Sequence, residues 1–269
     1  MPKSGHSPHG FEIPHKAAWG CIMQILGLNK TTLLDYPGRV ACTIFLGGCN
    51  FRCPFCHNKS IVLASDCEDN ALQLYTKEEI FSFLKKRRNI LTGVCITGGE
   101  PTINADLPDF IAEIKKLGYA VKLDTNGTNP QMLASLISDK LIDYCAMDIK
   151  NCLEKYDTSV SFDASDVSVS YDIADIQRSA ALLLSQPCAE ESGFSYEFRT
   201  TLVRELHNEA DILTICKWIA GANAYYLQSY VESDGVFCRD FHAHDTDTLA
   251  RFEQLCRFYI PNTYLRGVN

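Results

Sequence analysis

From residue 40 onward, short apolar runs alternate along the chain with longer segments whose apolar residues recur at helical spacing. The short runs are rich in Val, Ile, Tyr and Phe, a pattern that predicts strands buried on both faces of a sheet. The predicted strands are Val40–Leu46, Val94–Thr97, Ala120–Asp124, Tyr144–Ile149, Tyr196–Leu202 and Tyr225–Gln228.

The segments between these strands carry helix boundary signals. Thr76 with Glu79 three residues later matches a capping box ahead of an amphipathic run. Asn129 followed by Pro130 matches an N-cap with proline at the first helical position, and Gly118 predicts a helix stop. Further helices are predicted over Ile173–Ser185, Glu209–Ile219 and Thr246–Phe258.

Six strand–helix units in a row predict a parallel sheet with right-handed crossovers. Since six units are two short of a closed eightfold barrel, the expected fold is α/β, an open partial (β/α)6 barrel, with a doubly wound open sheet as the alternative. We expect residues 23–269 to form a single domain. Residues 1–22 show no periodicity and are expected to be a flexible N-terminal extension.

Composition narrows the class of protein. A net charge of −8 argues against broad electrostatic binding to nucleic acid or to an anionic membrane. The 13 cysteines are an odd number in a long chain, and no small-residue cleavage site follows the apolar stretch Ala17–Leu28. We therefore expect a cytoplasmic protein with reduced thiols, in which clustered cysteines indicate metal or redox chemistry.

Cys49, Cys53 and Cys56 form a C-x3-C-x2-C run directly after the first predicted strand. Three thiolates on one loop are able to ligate three irons of a [4Fe–4S] cluster and leave the fourth iron open for substrate. The alternative is a zinc site with His57 as the fourth ligand. Because His57 adjoins Cys56, closing a tetrahedron around zinc with these residues is strained.

The three cysteines, with aromatic Phe55 before the last, resemble the signature of the radical S-adenosylmethionine (radical SAM) enzymes. The segment Thr97–Pro101, one strand–helix unit later, resembles their glycine-rich SAM motif. Its glycines allow close approach of the backbone to a ligand, and its glutamate offers negative charge to a ligand ammonium group.

A narrower resemblance is to the activating enzymes of glycyl radical enzymes, through Cys56–Asn58, Leu123–Gly127 and Met147–Lys150. The segments Thr31–Gly38 and Tyr196–Thr201 resemble, more closely still, the activating proteins of anaerobic ribonucleoside-triphosphate reductase. The resemblance extends from about residue 23 to about residue 230, and it implies the partial barrel that the strand pattern also predicts.

The resemblance implies that a reduced cluster, ligated by Cys49, Cys53 and Cys56, transfers one electron to bound SAM. The resulting 5′-deoxyadenosyl radical then removes hydrogen from a backbone glycine of a partner enzyme. No protein general base is expected, because the cofactors carry the chemistry. The candidate SAM-pocket residues are Phe55, Gly98, Gly99, Glu100, Thr125, Asn126, Lys150 and Arg199, and the resemblance suggests that Asp124 and Asp148 hold a monovalent cation.

Several of these residues also have purely structural interpretations. The segment that begins at Asp124 is compatible with a simple turn, and Asp148 and Lys150 share a strand face and are able to pair. Arg199 is compatible with a paired core arginine, and Gln228 with a satisfied polar strand end. Position favours the functional interpretation, because all of these residues lie near the carboxyl ends of parallel strands.

The predicted function is therefore a radical SAM activase of a glycyl radical enzyme, foremost anaerobic ribonucleoside-triphosphate reductase, with flavodoxin or ferredoxin as electron donor. The alternatives within enzymes are the activase of another glycyl radical enzyme and a small-molecule radical SAM enzyme similar to deazaguanine synthases. The alternative that is not an enzyme is a zinc-stabilised binding module. This interpretation gives the glycine-rich motif no role.

Overall fold

Eight strands lie side by side in chain order in the computed structural model, which describes residues 23–66, 75–162, 169–187 and 189–268. The predicted extension over residues 1–22 lies outside this range. Strands β2 to β8 are parallel, and β1 is antiparallel to β2. The strands are β1 Ile25–Thr32, β2 Ala41–Leu46, β3 Gly93–Gly98, β4 Ala120–Thr125, β5 Tyr144–Asp148, β6 Ser195–Leu202, β7 Tyr225–Ser229 and β8 Thr263–Arg266.

Helices connect the parallel strands. In the described residues they are α1 Lys59–Val62, α2 Lys77–Arg87, α3 Leu107–Lys116, α4 Pro130–Ser138, α5 Tyr156–Val160, α6 Ile173–Leu184, α7 Ala189–Ser192, α8 Glu209–Trp218 and α9 Thr246–Arg257. Short 3-10 turns occur at Leu63–Asp66, Pro101–Ile103 and Leu153–Lys155.

The helix boundaries follow the signals in the sequence. The Thr76 side chain accepts from the Glu79 N–H, and the Glu79 carboxylate accepts from the Thr76 N–H, so the predicted capping box is confirmed. Asn129 caps α4 by accepting from the Met132 N–H at 3.1 Å. Gly118, two residues after α3, has a φ of 87°, which a residue without a side chain adopts readily.

The prediction of an open, mainly parallel α/β sheet is confirmed, and all six predicted strands are present as β2 to β7. The pattern missed the two edge strands. β1 has exposed residues near its carboxyl end, as a strand with one free edge tolerates. β8 has only four residues, too few for a periodic signal.

Alternation along the strands separates an outer core from an inner surface. On β2, Ile44 and Leu46 are buried in the main apolar core, whereas Thr43 and Phe45 line the inside of the curved sheet. On β3, Cys95 also lies on the inside. The apolar outer face holds the helices on the sheet, and the inner face is left for polar chemistry.

Candidate active site

The carboxyl ends of the parallel strands surround a pocket of about 400 Å³, within the size range of small-molecule sites. Every residue that the sequence predicted for the cluster and SAM site lines this pocket, except Phe55. The lining residues among them are Cys49, Cys53, Cys56, Gly98, Gly99, Glu100, Asp124, Thr125, Asn126, Asp148, Lys150 and Arg199.

Phe55 is buried, with 4% of its surface exposed, and packs in the apolar core instead of lining the pocket. The aromatic wall next to the cysteines comes from Phe51, whose ring meets Tyr171 edge to face at a centroid distance of 5.2 Å. The sequence therefore predicted an aromatic residue near the cysteines, but the structure brings a different phenylalanine to the pocket.

The cysteine loop is held by its own backbone and by a buried arginine. The guanidinium of Arg52 donates to the Cys49 carbonyl at 2.7 Å and to the Phe51 carbonyl at 3.0 Å. The Arg52 N–H donates to the Val160 carbonyl at 2.8 Å, and the Cys56 N–H donates to the Cys53 carbonyl at 3.0 Å. These hydrogen bonds therefore fix the backbone conformation of the loop that carries the three sulfurs.

The two glycines of the SAM-like motif bring the end of β3 against this loop. The Gly99 N–H donates to the Leu46 carbonyl at 2.9 Å, and the Glu100 N–H donates to the Gly48 carbonyl at 2.8 Å. A Cβ on Gly98 would overlap the Leu46 backbone, and one on Gly99 would overlap the Gly48 carbonyl. Glycine is required at both positions so that the two backbones can meet.

Glu100 connects the ends of β3 and β4. It is 1% exposed, and its carboxylate accepts hydrogen bonds from the Thr102 N–H at 3.0 Å, the Thr125 hydroxyl at 2.7 Å and the Asn126 N–H at 2.6 Å. The Thr102 hydroxyl also donates to it, at 2.5 Å. Burial raises the pKa of Glu100, although these hydrogen bonds act in the opposite direction. Its role as a ligand for a SAM ammonium group stays a prediction.

Five charged side chains form an alternating network across β4, β5 and β6. Lys122 pairs with Asp124, and Arg199 donates to Asp124 at 3.0 Å and to Asp148 at 2.7 Å. Lys150 pairs with Asp148 at 2.9 Å. Burial disfavours the charged form of Asp148, but the Arg199 and Lys150 cations hold its pKa well below its usual range.

This network bears on the predicted cation site. Asp124 and Asp148 already have cationic partners from the chain, so the structural pairing of Arg199 and of Lys150 is observed. In the described residues, no three His, Cys, Asp or Glu side chains lie close enough together to hold a single metal ion. A cluster of several irons needs a wider spacing, because each thiolate binds a different iron. A monovalent cation at the two aspartates stays a prediction.

The three pocket cysteines fit an iron–sulfur cluster as a donor set. Cys49, Cys53 and Cys56 are free thiols, and burial raises the pKa of each, that of Cys53 to about 12. Without a metal such thiols stay protonated, and iron supplies the positive charge that makes thiolates favourable. Three cysteines are one fewer than a four-iron cluster needs, which leaves an open iron.

The zinc alternative receives no support from the geometry. His57 is exposed and does not line the pocket with the cysteines. Its Nδ1 lies 3.0 Å from the Ser233 hydroxyl, and its ring stacks on Tyr230. The donor set in the pocket is therefore three sulfurs without a nitrogen from this histidine.

Ten further lining residues were not named as site residues from the sequence. Five of them lie where the sequence analysis already pointed: Asp35, Asn58, Thr97 and Thr201 in segments that carry the resemblance, and Gln228 near a strand end. The other five are ordinary strand or loop residues until the sheet curves, and period-two alternation along the strands is the signal that could have found some of them. Lys122, 3% exposed at its side chain, was also missed, although a lysine two residues from Asp124 in an apolar strand signals an internal ion pair. The additional lining residues are Asp35, Thr43, Phe45, Phe51, Asn58, Val62, Cys95, Thr97, Thr201 and Gln228.

Comparison with known proteins agrees with this arrangement. The family model described as the radical SAM superfamily matches residues 43–163. A Methanocaldococcus jannaschii protein named "Putative glycyl-radical enzyme activating enzyme" is 31% identical over 249 residues, which cover 91% of this chain and 96% of that protein. The chain belongs to the radical SAM superfamily and is a radical SAM enzyme.

More distant similarities are consistent with the family. A Saccharolobus islandicus protein named "Probable GTP 3',8-cyclase" is 37% identical over 81 residues, 29% of this chain and 24% of that protein. Streptococcus suis SuiB bound to S-adenosylmethionine has the same fold, with a TM-score of 0.60 and 14% identity over 82% of this chain and 49% of SuiB.

Membership of this family implies a [4Fe–4S] cluster and SAM, and it excludes the zinc-stabilised binding module. No helix in the described part of the chain is long and apolar enough to cross a bilayer.

Proposed function

We propose that this radical SAM enzyme is an activase that forms a glycyl radical on a partner enzyme, and that the partner is anaerobic ribonucleoside-triphosphate reductase. The observation that carries the proposal is the relative named as a glycyl-radical enzyme activating enzyme, because the match covers 91% of this chain and 96% of that protein. The match thus includes the strands beyond the cysteine and glycine motifs, which many radical SAM enzymes share.

The choice of partner is supported by the two segments that resemble reductase activating proteins. The segment Thr31–Gly38 contributes Asp35 to the pocket wall, and Tyr196–Thr201 contributes Arg199 and Thr201. Asp35 accepts a hydrogen bond from the Thr43 hydroxyl on β2. Both segments therefore reach the space where a substrate would meet SAM.

When bound, the cluster and SAM supply one electron and the capacity to abstract a hydrogen atom. Cys49, Cys53 and Cys56 would hold the cluster. Gly98 and Gly99 allow the loop that carries these cysteines to pack against the end of β3. Lys150 pairs with one carboxylate and retains N–H groups for an anionic oxygen, such as the carboxylate of SAM.

The test is anaerobic reconstitution with iron and sulfide, followed by dithionite and SAM, in the presence of the anaerobic reductase of the same organism. We expect 5′-deoxyadenosine and an electron paramagnetic resonance doublet from a glycyl radical on the reductase. Reduced flavodoxin or ferredoxin is expected to replace dithionite. A Cys53→Ala variant serves as the negative control, because it removes one cluster ligand from a loop outside the helices and strands.

The possible outcomes separate the alternatives. A glycyl radical on a different enzyme only would retain the activase function and replace the partner. SAM cleavage without a glycyl radical on any such enzyme would contradict the proposal and favour a small-molecule substrate.

A further inference from the structure

The charged groups of the pocket have partners from the chain itself. Among the described lining residues the cations are Lys150 and Arg199, and both form ion pairs with Asp148 or Asp124. Glu100 accepts several hydrogen bonds from neighbouring backbone and hydroxyl groups. A highly charged substrate would have to compete with these internal partners for its contacts.

Two neutral side chains that line the pocket have no such partners from the chain in the described residues. Thr201 near the end of β6 and Gln228 near the end of β7 are register neighbours on adjacent parallel strands, and both line the pocket. Neighbouring strands lie about 4.8 Å apart, so these two side chains stand next to each other.

Within the described part of the chain, neither side chain makes a hydrogen bond, although the backbone of each is part of the sheet. Gln228 is exposed and Thr201 is partly exposed, so both side chains are accessible to a ligand in the pocket. In the described residues, the Gln228 side chain therefore has no hydrogen-bond partner from the chain itself, and its role stays a prediction.

The chemistry of the pair matches one kind of substrate. A hydroxyl and a primary amide each donate and accept hydrogen bonds and carry no charge. A peptide backbone presents the complementary groups, an N–H donor and a carbonyl acceptor at each residue. A nucleoside triphosphate instead requires unpaired cations, which the described pocket walls lack at this edge.

We infer that Thr201 and Gln228 recognise the backbone of the glycine-containing segment that enters the pocket from the partner enzyme. This inference rests on the proposed activase function and names the substrate class of the same pocket, a polypeptide main chain. Recognition through the backbone suits a glycine target, because glycine has no side chain to bind.

The test measures glycyl radical formation at increasing concentrations of the anaerobic reductase, with Thr201→Val, Gln228→Leu and the double variant. One lost neutral hydrogen bond weakens binding by about fivefold, so we expect KM for the reductase to rise about fivefold in each single variant and further in the double variant. The rise in KM should exceed the change in kcat and the change in SAM cleavage without the reductase.

Matched controls address folding and polarity. Thr201→Ser keeps the hydroxyl and should keep KM near the wild-type value. Thr214→Val on α8 and Gln131→Leu on α4 make the same chemical changes at exposed positions outside the pocket, and neither should alter KM.

Wild-type KM in the double variant, with radical formation by the wild type intact, would overturn the recognition role alone. An equal loss of SAM cleavage without the reductase would overturn it as well, since the residues would then act on SAM. If the wild type forms no glycyl radical on the reductase or on any other glycyl radical enzyme of the organism, with SAM cleavage intact, the activase function and the inference are both refuted.

Discussion

Gly99 sets the position of the cysteine loop by having no side chain. Its N–H bonds to the Leu46 carbonyl, and the space where its Cβ would lie is filled by the Gly48 carbonyl oxygen. Backbone atoms of a sheet and its loop cannot move aside as a flexible side chain can. A methyl group here must therefore push the loop that carries Cys49 away from β3.

We predict that Gly99→Ala destabilises the protein by about 3 kcal/mol, the upper part of the range for overpacking. It should also lower the iron bound per chain after reconstitution, because the cysteine sulfurs lose their relative positions. Urea unfolding and iron analysis measure the two effects. Gly118→Ala is the control, because no atom lies within 4 Å of the added Cβ. This variant should lose some stability because position 118 has a positive φ, and it should bind iron normally. Normal iron in Gly99→Ala would contradict the prediction.

At the scale of elements, α4 and the turn after the glycine-rich motif are joined by one residue. Asn129 accepts from the Met132 N–H as the N-cap of α4, and its amide donates to the Thr102 carbonyl at 2.9 Å. Thr102 in turn donates to Glu100. The start of this helix is therefore linked to the pocket through the 3-10 turn over Pro101–Ile103.

We predict that Asn129→Ala lowers the free energy of unfolding by about 2 kcal/mol, about half from the lost cap and half from the lost bond to Thr102. Asn129→Ser keeps a cap acceptor and loses only the bond to the Thr102 carbonyl, so its loss should be smaller. Urea denaturation of the three proteins tests this order. Equal losses in the two variants would show that the cap contributes nothing.

Across the whole molecule, the charged network ties three strands of the open sheet together on its inner side. Lys122 and Asp124 lie on β4, Asp148 on β5 and Arg199 on β6. An open sheet has no closing strand pair to hold its curvature. Ion pairs that cross from strand to strand on the concave side oppose its flattening.

We predict that Asp148→Asn destabilises the fold by about 2 kcal/mol near neutral pH, because Arg199 and Lys150 lose their shared carboxylate. Urea denaturation measures this loss. Glu113→Gln at the exposed pair with Lys116 is the matched control and should change stability little. If Glu113→Gln lowers the free energy of unfolding as much as Asp148→Asn does, the stabilising role of the charged network is contradicted.

The same variants should differ in their acid dependence. The folded pKa of Asp148 is held below its usual value, so its contribution is complete above the unfolded pKa of about 3.9 and is lost as pH falls through the folded value. Between about pH 4 and pH 2 the wild type should therefore lose more stability than Asp148→Asn. If the free energy of unfolding of the two proteins falls in parallel over this pH range, the lowered pKa of Asp148 is contradicted.

The sequence predicted most of the fold because local signals agree with it. The six inner strands have continuous apolar runs, and Thr76, Asn129 and Gly118 mark helix ends by chemistry that acts within a few residues. The edge strands escaped prediction because an edge demands less apolar surface and β8 is short.

The sequence by itself determined the order of strands and helices, the three clustered thiols and the glycine-rich turn, since each depends on neighbours in the chain. The tertiary structure decided which side chains face the pocket and which meet across strands, because both depend on the curvature of the sheet and on long-range contacts. In the folded chain, Phe55 is buried in the core and Phe51 lines the pocket. The tertiary structure paired Asp124 and Asp148 with Arg199 from another strand. Among the described residues, it left the side chains of Thr201 and Gln228 next to each other with no hydrogen-bond partner from the chain. Such pairings depend on which strand ends meet across the sheet, and residues tens of positions apart carry no local signal of that meeting.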